Sequence, residues 1–176
     1  MLSPDPKHVL TRCADSIPDS TALPIERFAG RYFDLGYGSL ELCSSTSDSP
    51  SCAQVLSDFG SISLNGTLNP NDLYGITPRV WGSHVRTSRT ACINQDNSES
   101  FAFSLGTIFP NGYGRDITPF ADGYLDVLQV EFRCVVDDDK SRKVVGCGIM
   151  NMEEGIQTPQ GTTVREMADV RFQKLE

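Results

Sequence analysis

Apolar and polar positions alternate in short runs along most of this chain, and turn-forming residues separate the runs. Ser39-Leu-Glu-Leu-Cys43 puts Leu40 and Leu42 on one face, as a half-buried strand does. Asp58 to Leu68 alternates again, with Ile62 and Leu64 together. The spacing predicts further strands over 80–87, 101–109, 124–136, 144–152 and 164–172. In the longest of these, Tyr124, Leu128, Val130, Phe132, Cys134 and Val136 share a face that only Asp126 interrupts. A period of two over about 13 residues suits a barrel stave. One short helix is expected at 51–59, and no segment carries a strong helical stripe. Strands this closely spaced predict an all-β domain, an antiparallel barrel or sandwich.

Ahead of the strands the chain changes character. Residues 1–25 are rich in Pro, Asp, Ser and Thr, with prolines at 4, 6, 18 and 24, and read as an extended lead-in to a single domain over 26–176. A chain of 176 residues is long enough to bury a real core. The net charge of −8 and the scatter of its 15 basic residues exclude nucleic acid as an expected partner. No run of about 20 apolar residues is present, so no membrane-spanning helix is expected.

Six cysteines, at 13, 43, 52, 92, 134 and 147, change the picture more than composition does. No Cys-x-x-Cys occurs, so an even set reads as three disulfides formed in an oxidising compartment. Asn65-Gly-Thr67 is an acceptor sequence for N-glycosylation and agrees with that reading. The start of the chain has no apolar leader core, and the expectation is of a secretory leader removed and a start Met added. Cys43 and Cys52 flank a short polar loop and are expected to bridge. In a hairpin about Asp137 to Arg142, Cys134 and Cys147 fall opposite each other, to bridge directly or to reach different strands. Cys13 with Cys92 would complete the set, tying the lead-in to the domain.

Standard catalytic signatures are absent. There is no Gly-x-Ser-x-Gly elbow, no His-Glu-x-x-His, no phosphate loop and no dinucleotide fingerprint. Two histidines exclude a multi-histidine metal site, and Asp137-Asp-Asp139 reads as a solvated hairpin tip; no metal and no cofactor is expected. The densest polar and aromatic cluster is Val80-Trp81-Gly-Ser-His84-Val-Arg86. On a strand, His84 and Arg86 share a face about 7 Å apart, while Trp81, Ser83 and Val85 take the other. If the first face lines a lumen, His84 can act as acid, base or donor; if it faces solvent, Trp81 is simply core. Trp81, His84 and Arg86 are the candidate catalytic residues. Tyr74, Phe101, Phe103, Tyr124 and Phe132 are candidate lining residues. Arg115, in the loop Asn111-Gly-Tyr-Gly-Arg-Asp-Ile-Thr-Pro-Phe120, is a candidate rim contact, paired with Asp116.

Phe28-Ala-Gly-Arg-Tyr-Phe-Asp-Leu-Gly-Tyr-Gly-Ser-Leu-Glu-Leu42 resembles the opening strands of the lipocalin-like domain that follows the catalytic domain in β-lactamase-related serine peptidases. The fungal branch is similar at the Cys43 and Cys52 pair, at Val55 to Phe59, at Trp81 to Arg86 and at Tyr113 to Phe120. The resemblance runs from about residue 26 to the C-terminus and implies a lipocalin-like β-barrel of about eight strands. It says little about activity, because the serine hydrolase domain of that family is not in this chain. A fragment, or a stand-alone barrel with its own task, are both consistent with that.

Stand-alone lipocalin-like proteins bind small apolar molecules, and some in fungal secondary metabolism resemble cofactor-free cyclases. The expectation drawn from the resemblance is a pocket that binds a polyketide- or terpene-like molecule and promotes a hetero-Diels–Alder-type cyclisation. The alternatives are a non-catalytic carrier and an accessory domain of a β-lactamase-related hydrolase. The expected partner is a small hydrophobic molecule, with self-association into a homo-oligomer left open.

Overall fold

A computed structural model describes residues 23–78, 82–93, 98–123, 130–137, 142–150 and 163–175, with the backbone alone at 91–93 and 130. The strands are β1 (Gly30–Asp34), β2 (Gly38–Cys43), β3 (Asp72–Ile76), β4 (His84–Ile93), β5 (Ser98–Phe109), β6 (Phe120–Gly123), β7 (Val130–Val136), β8 (Val144–Met150) and β9 (Val170–Lys174). Two α-helices, α1 (Pro50–Ile62) and α2 (Val164–Met167), join them.

Successive strands pair antiparallel from β1 to β6 and from β7 to β9, and the circuit closes where β9 pairs with β1 through Tyr32 and Lys174. β6 and β7 both pair with β5, β6 at Gly106–Phe109 and β7 at Ser98–Phe103, so they lie end to end along one edge. The result is a closed, eight-stranded antiparallel barrel, the one of the two architectures left open by the strand spacing that the resemblance implies. The β1–β2 hairpin turns on Asp34, whose Oδ1 accepts the Gly36 and Tyr37 amides at 2.8 Å.

Alternation sorts inside from outside. Tyr32, Leu40, Leu42, Leu73, Val85, Phe101, Phe103, Phe132, Ile149 and Val170 meet in one buried interior cluster. Their neighbours in sequence face outward, toward solvent or toward the two helices. One end of the barrel is closed by the segment before β1. Its short 3-10 turn Ile25–Arg27 delivers Phe28 edge-on to Phe101, with ring centroids 5.1 Å apart.

Three expectations need correction. The alternation from Asp58 to Leu68 is not a strand: α1 runs through Ile62, and a 3-10 turn follows at Leu64–Gly66. Ser49 caps the helix by accepting the Cys52 amide at 3.1 Å, Pro50 sits in its first turn, and Cys52, Val55 and Phe59 bury one face. The helix expected at 51–59 therefore forms and is longer. Residues 164–172 are not one strand either, because Thr163 and Glu166 form a capping box that starts α2 before β9 begins. Conversely β3 goes unpredicted: its residues are buried on both faces, so no alternation marks it. For the long stave, 124–129 lie outside the described residues and β7 starts at Val130.

The expected Cys43–Cys52 disulfide is present, and of the two outcomes left open for Cys134 and Cys147 the direct bridge forms. Cys43–Cys52 fastens α1 to β2, and Cys134–Cys147 joins directly opposite positions of β7 and β8 inside the barrel. Cys13 lies outside the described residues, as does the Cys92 side chain, so their pairing is not described. Among the described residues no helix is long and apolar enough to cross a membrane, which says nothing of strands.

Candidate functional site

On β4, Val85 joins the interior cluster, so His84 and Arg86 point outward. Of the two orientations left open for the His84 and Arg86 face, the strand takes the outward one. Both lie beneath or beside α1, which packs Cys52, Val55 and Phe59 over the outer wall against Tyr74 and Ile108. His84 is buried there with every ring nitrogen engaged. The Ile108 amide donates to Nδ1 at 3.2 Å, so the proton sits on Nε2 and is given to Asp58 Oδ2 at 3.1 Å. Ser83 Oγ approaches Nδ1 at 2.9 Å, and Gln54 donates to Asp58 Oδ1 at 2.8 Å. An imidazole committed on both nitrogens joins helix to wall.

Arg86 donates through Nε to the buried Asp72 at 3.0 Å, and Asn69 Nδ2 donates to the other Asp72 oxygen at 3.2 Å. Tyr74, expected in the lumen, lies on this outer wall instead. Its hydroxyl accepts the Asn69 amide at 2.9 Å, while burial, and then the Asp72 carboxylate, push its pKa up. Arg86 and Tyr74 border a shallow groove of about 380 Å³ with Phe59, Leu64 and Asp72. Asn65 stands exposed nearby in the left-handed region at φ 59°.

The expected aromatic lining is inside. Phe101, Phe103 and Phe132 are buried interior residues, with Phe132 centroids 6.5 Å from Phe101 and 5.3 Å from Phe103. Arg115 is exposed on the turn that follows β5, and Asp116 does not pair with it. Asp116 instead accepts the Thr118 amide at 2.9 Å, a bond that lowers its pKa. Tyr124 and Trp81 lie outside the described residues.

Three polar residues that the sequence reading passes over stand in this interior. Thr87 follows Val85 on the inward face and sits opposite Phe103 and Leu73. It is fully buried, and its Oγ1 has no hydrogen-bond partner among the described residues. Arg89 comes next on the same face and lies against the rings of Phe28 and Phe101, at 5.3 and 5.8 Å from their centroids. Glu99 completes the group, with Oε2 3.3 Å from Arg89 Nη2 but without hydrogen-bond alignment. The pair clamps the main chain of Leu23: Arg89 donates to its carbonyl at 2.6 Å and Glu99 accepts its amide at 3.1 Å. Continuing the Val85 alternation by two and four residues marks Thr87 and Arg89; nothing local marks Glu99.

Among the described residues one tight group has metal-like donors: Glu41, Cys43 and Cys52. Its sulfurs are spent in a disulfide, and a thiolate is what ligates a metal. The Glu41 carboxylate accepts from Ser51 at 2.8 Å. No family model, curated protein or solved structure matches this chain.

Proposed function

We propose that this chain binds a small, largely apolar molecule in the barrel interior and promotes its cofactor-free cyclisation, of hetero-Diels–Alder type. The observation that carries the reading is the Thr87 hydroxyl: fully buried, unpartnered among the described residues, and opposite Phe103. A buried hydroxyl without a partner costs about 1–3 kcal/mol, and a ligand oxygen accepting from it would remove that cost. An apolar chamber with one or two polar handles is the usual character of a small-molecule site.

Such a cyclisation needs orientation more than acid–base chemistry. The diene and heterodienophile exchange three π bonds for two σ bonds and one π bond, and no atom is gained or lost. The aromatic wall of Phe101, Phe103 and Phe132 holds the two components in a reactive pose. The Thr87 O–H donates to the carbonyl oxygen on which charge builds in the transition state. His84 and Arg86 have no part in this reading, since both face outward. The disulfides suit an oxidising compartment, and we place the protein in the secretory pathway with a glycan on the exposed Asn65.

Mass spectrometry of metabolites incubated with and without the protein tests the reading. The expected result is loss of one component and gain of an isomer of identical mass, or of an adduct of summed mass. Unchanged composition with one metabolite retained on the protein would leave a carrier. Neither change nor retention would favour an accessory domain of a β-lactamase-related hydrolase.

A further inference from the structure

A groove of about 620 Å³ runs along the outer wall where α2 lies against β7 and β8, beside β9. Its apolar sides come from Val135 of β7, Val145 of β8 and Val164 of α2, and Val145 is exposed although β-branched and apolar. Two guanidinium groups border the same groove, Arg165 from α2 and Arg171 from β9. Both are exposed, and neither has a hydrogen bond or ion pair with another described residue. The carboxylate next to Arg165 is spent elsewhere: Glu166 accepts from the Thr163 amide at 3.2 Å and hydroxyl at 3.1 Å.

We propose that this groove binds a monomeric amphiphile with one carboxylate head. Arg165 and Arg171 grip the carboxylate, for which the planar guanidinium fork is shaped. The alkyl chain lies along Val135, Val145 and Val164, and its burial there supplies the apolar part of the affinity. Ligand sites enclose about 300–1,000 Å³, so the groove suits one medium-length chain. A chain of net charge −8 is repelled by an anionic bilayer, which favours a free amphiphile over a membrane lipid. The site lies outside the barrel and does not depend on the interior reading.

Titration of the full chain with sodium octanoate, followed by amide chemical shifts and calorimetry, tests the assignment. Octanoate should move the amides of Val145, Arg165 and Arg171, and 1-octanol should bind at least tenfold more weakly. The double variant Arg165→Ala, Arg171→Ala, at two exposed positions, should lose at least tenfold in octanoate affinity. Thr87→Val should bind octanoate unchanged, which separates this groove from the interior. Unaltered octanoate binding by the double variant overturns the proposal, as does response only at interior amides. Arginine-dependent sedimentation with phosphatidylglycerol vesicles, without any octanoate response, assigns the face to membranes and overturns it too. So does a dimer in sedimentation velocity that the double variant abolishes.

Discussion

His84 Nε2 lies 3.1 Å from Asp58 Oδ2 and so ties the start of β4 to the middle of α1 across the outer wall of the barrel. Removing the imidazole leaves the buried Asp58 carboxylate with the Gln54 bond alone and takes the Nδ1 acceptor from the Ile108 amide. His84→Ala should therefore destabilise the fold by about 3 kcal/mol. It should also leave interior ligand binding intact. The urea midpoint measures the first effect; an unchanged midpoint would show that the contact carries no structural weight.

Both described disulfides contribute to stability, but at different places. Each closes a short loop, of sequence separation 9 for Cys43–Cys52 and 13 for Cys134–Cys147. Loops of that size are worth about 3 kcal/mol each when closed. Opening Cys43–Cys52 by Cys→Ala replacement should raise hydrogen exchange chiefly in α1, because the bridge anchors that helix to β2. Opening Cys134–Cys147, which stands in the interior cluster, should lower Tm and raise exchange throughout β7 and β8. Equal exchange patterns in the two variants would contradict this division.

Arg89 and Glu99 hold Leu23 at the closed end of the barrel. Arg89→Met leaves Glu99 buried and uncompensated, at a cost of about 3–5 kcal/mol. Replacing both, Arg89→Met with Glu99→Leu, should recover part of that loss, since no buried charge is then left alone. A double variant less stable than the single one in guanidinium unfolding would refute a buried pair.

How much of this was legible in the sequence depends on what covers each strand. β2 and β5 have a clear inward face, so alternation predicts Leu40, Leu42, Phe101 and Phe103 as interior residues, and they are. β3 is covered on both sides, by the core and by α1, and its pattern vanishes. Along Val80 to Arg86 the two faces were separable but their orientation was not. An outward His84 under a helix and an inward one in a lumen have the same local sequence, and the helix that decides between them comes from residues read partly as a strand. Arg89 and Glu99 belong to one site only through barrel pairing, which no local window contains. That Cys134 and Cys147 fall opposite each other was legible because both flank one hairpin; that they bridge each other was not, because opposite positions on a strand pair leave each sulfur free to reach another strand.

Tyr32 is buried, and its hydroxyl donates to the Phe28 carbonyl at 2.6 Å. Burial holds its pKa above the usual value of 10.0. In alkali the unfolded chain loses this proton while the folded one keeps it, so the folded state binds more protons. Stability that is fully present below pH 10.0 is then lost as pH rises above it. Tyr32→Phe should cost about 1 kcal/mol at neutral pH, from the lost bond, and flatten the alkaline decline. Urea midpoints from pH 8 upward check this; parallel declines in both proteins would exclude Tyr32 as their source.

The most direct test of an interior cyclisation site is the single substitution Thr87→Val. It removes the hydroxyl, keeps the shape and fills the same space opposite Phe103. Product formation should be measured by mass spectrometry beside thermal unfolding of the same sample. A ligand oxygen held by Thr87 in the transition state predicts a rate lower by about 10²-fold. Tm should hold or rise, because a buried unpartnered hydroxyl has been removed. Undiminished product formation by a stable Thr87→Val protein would contradict the account.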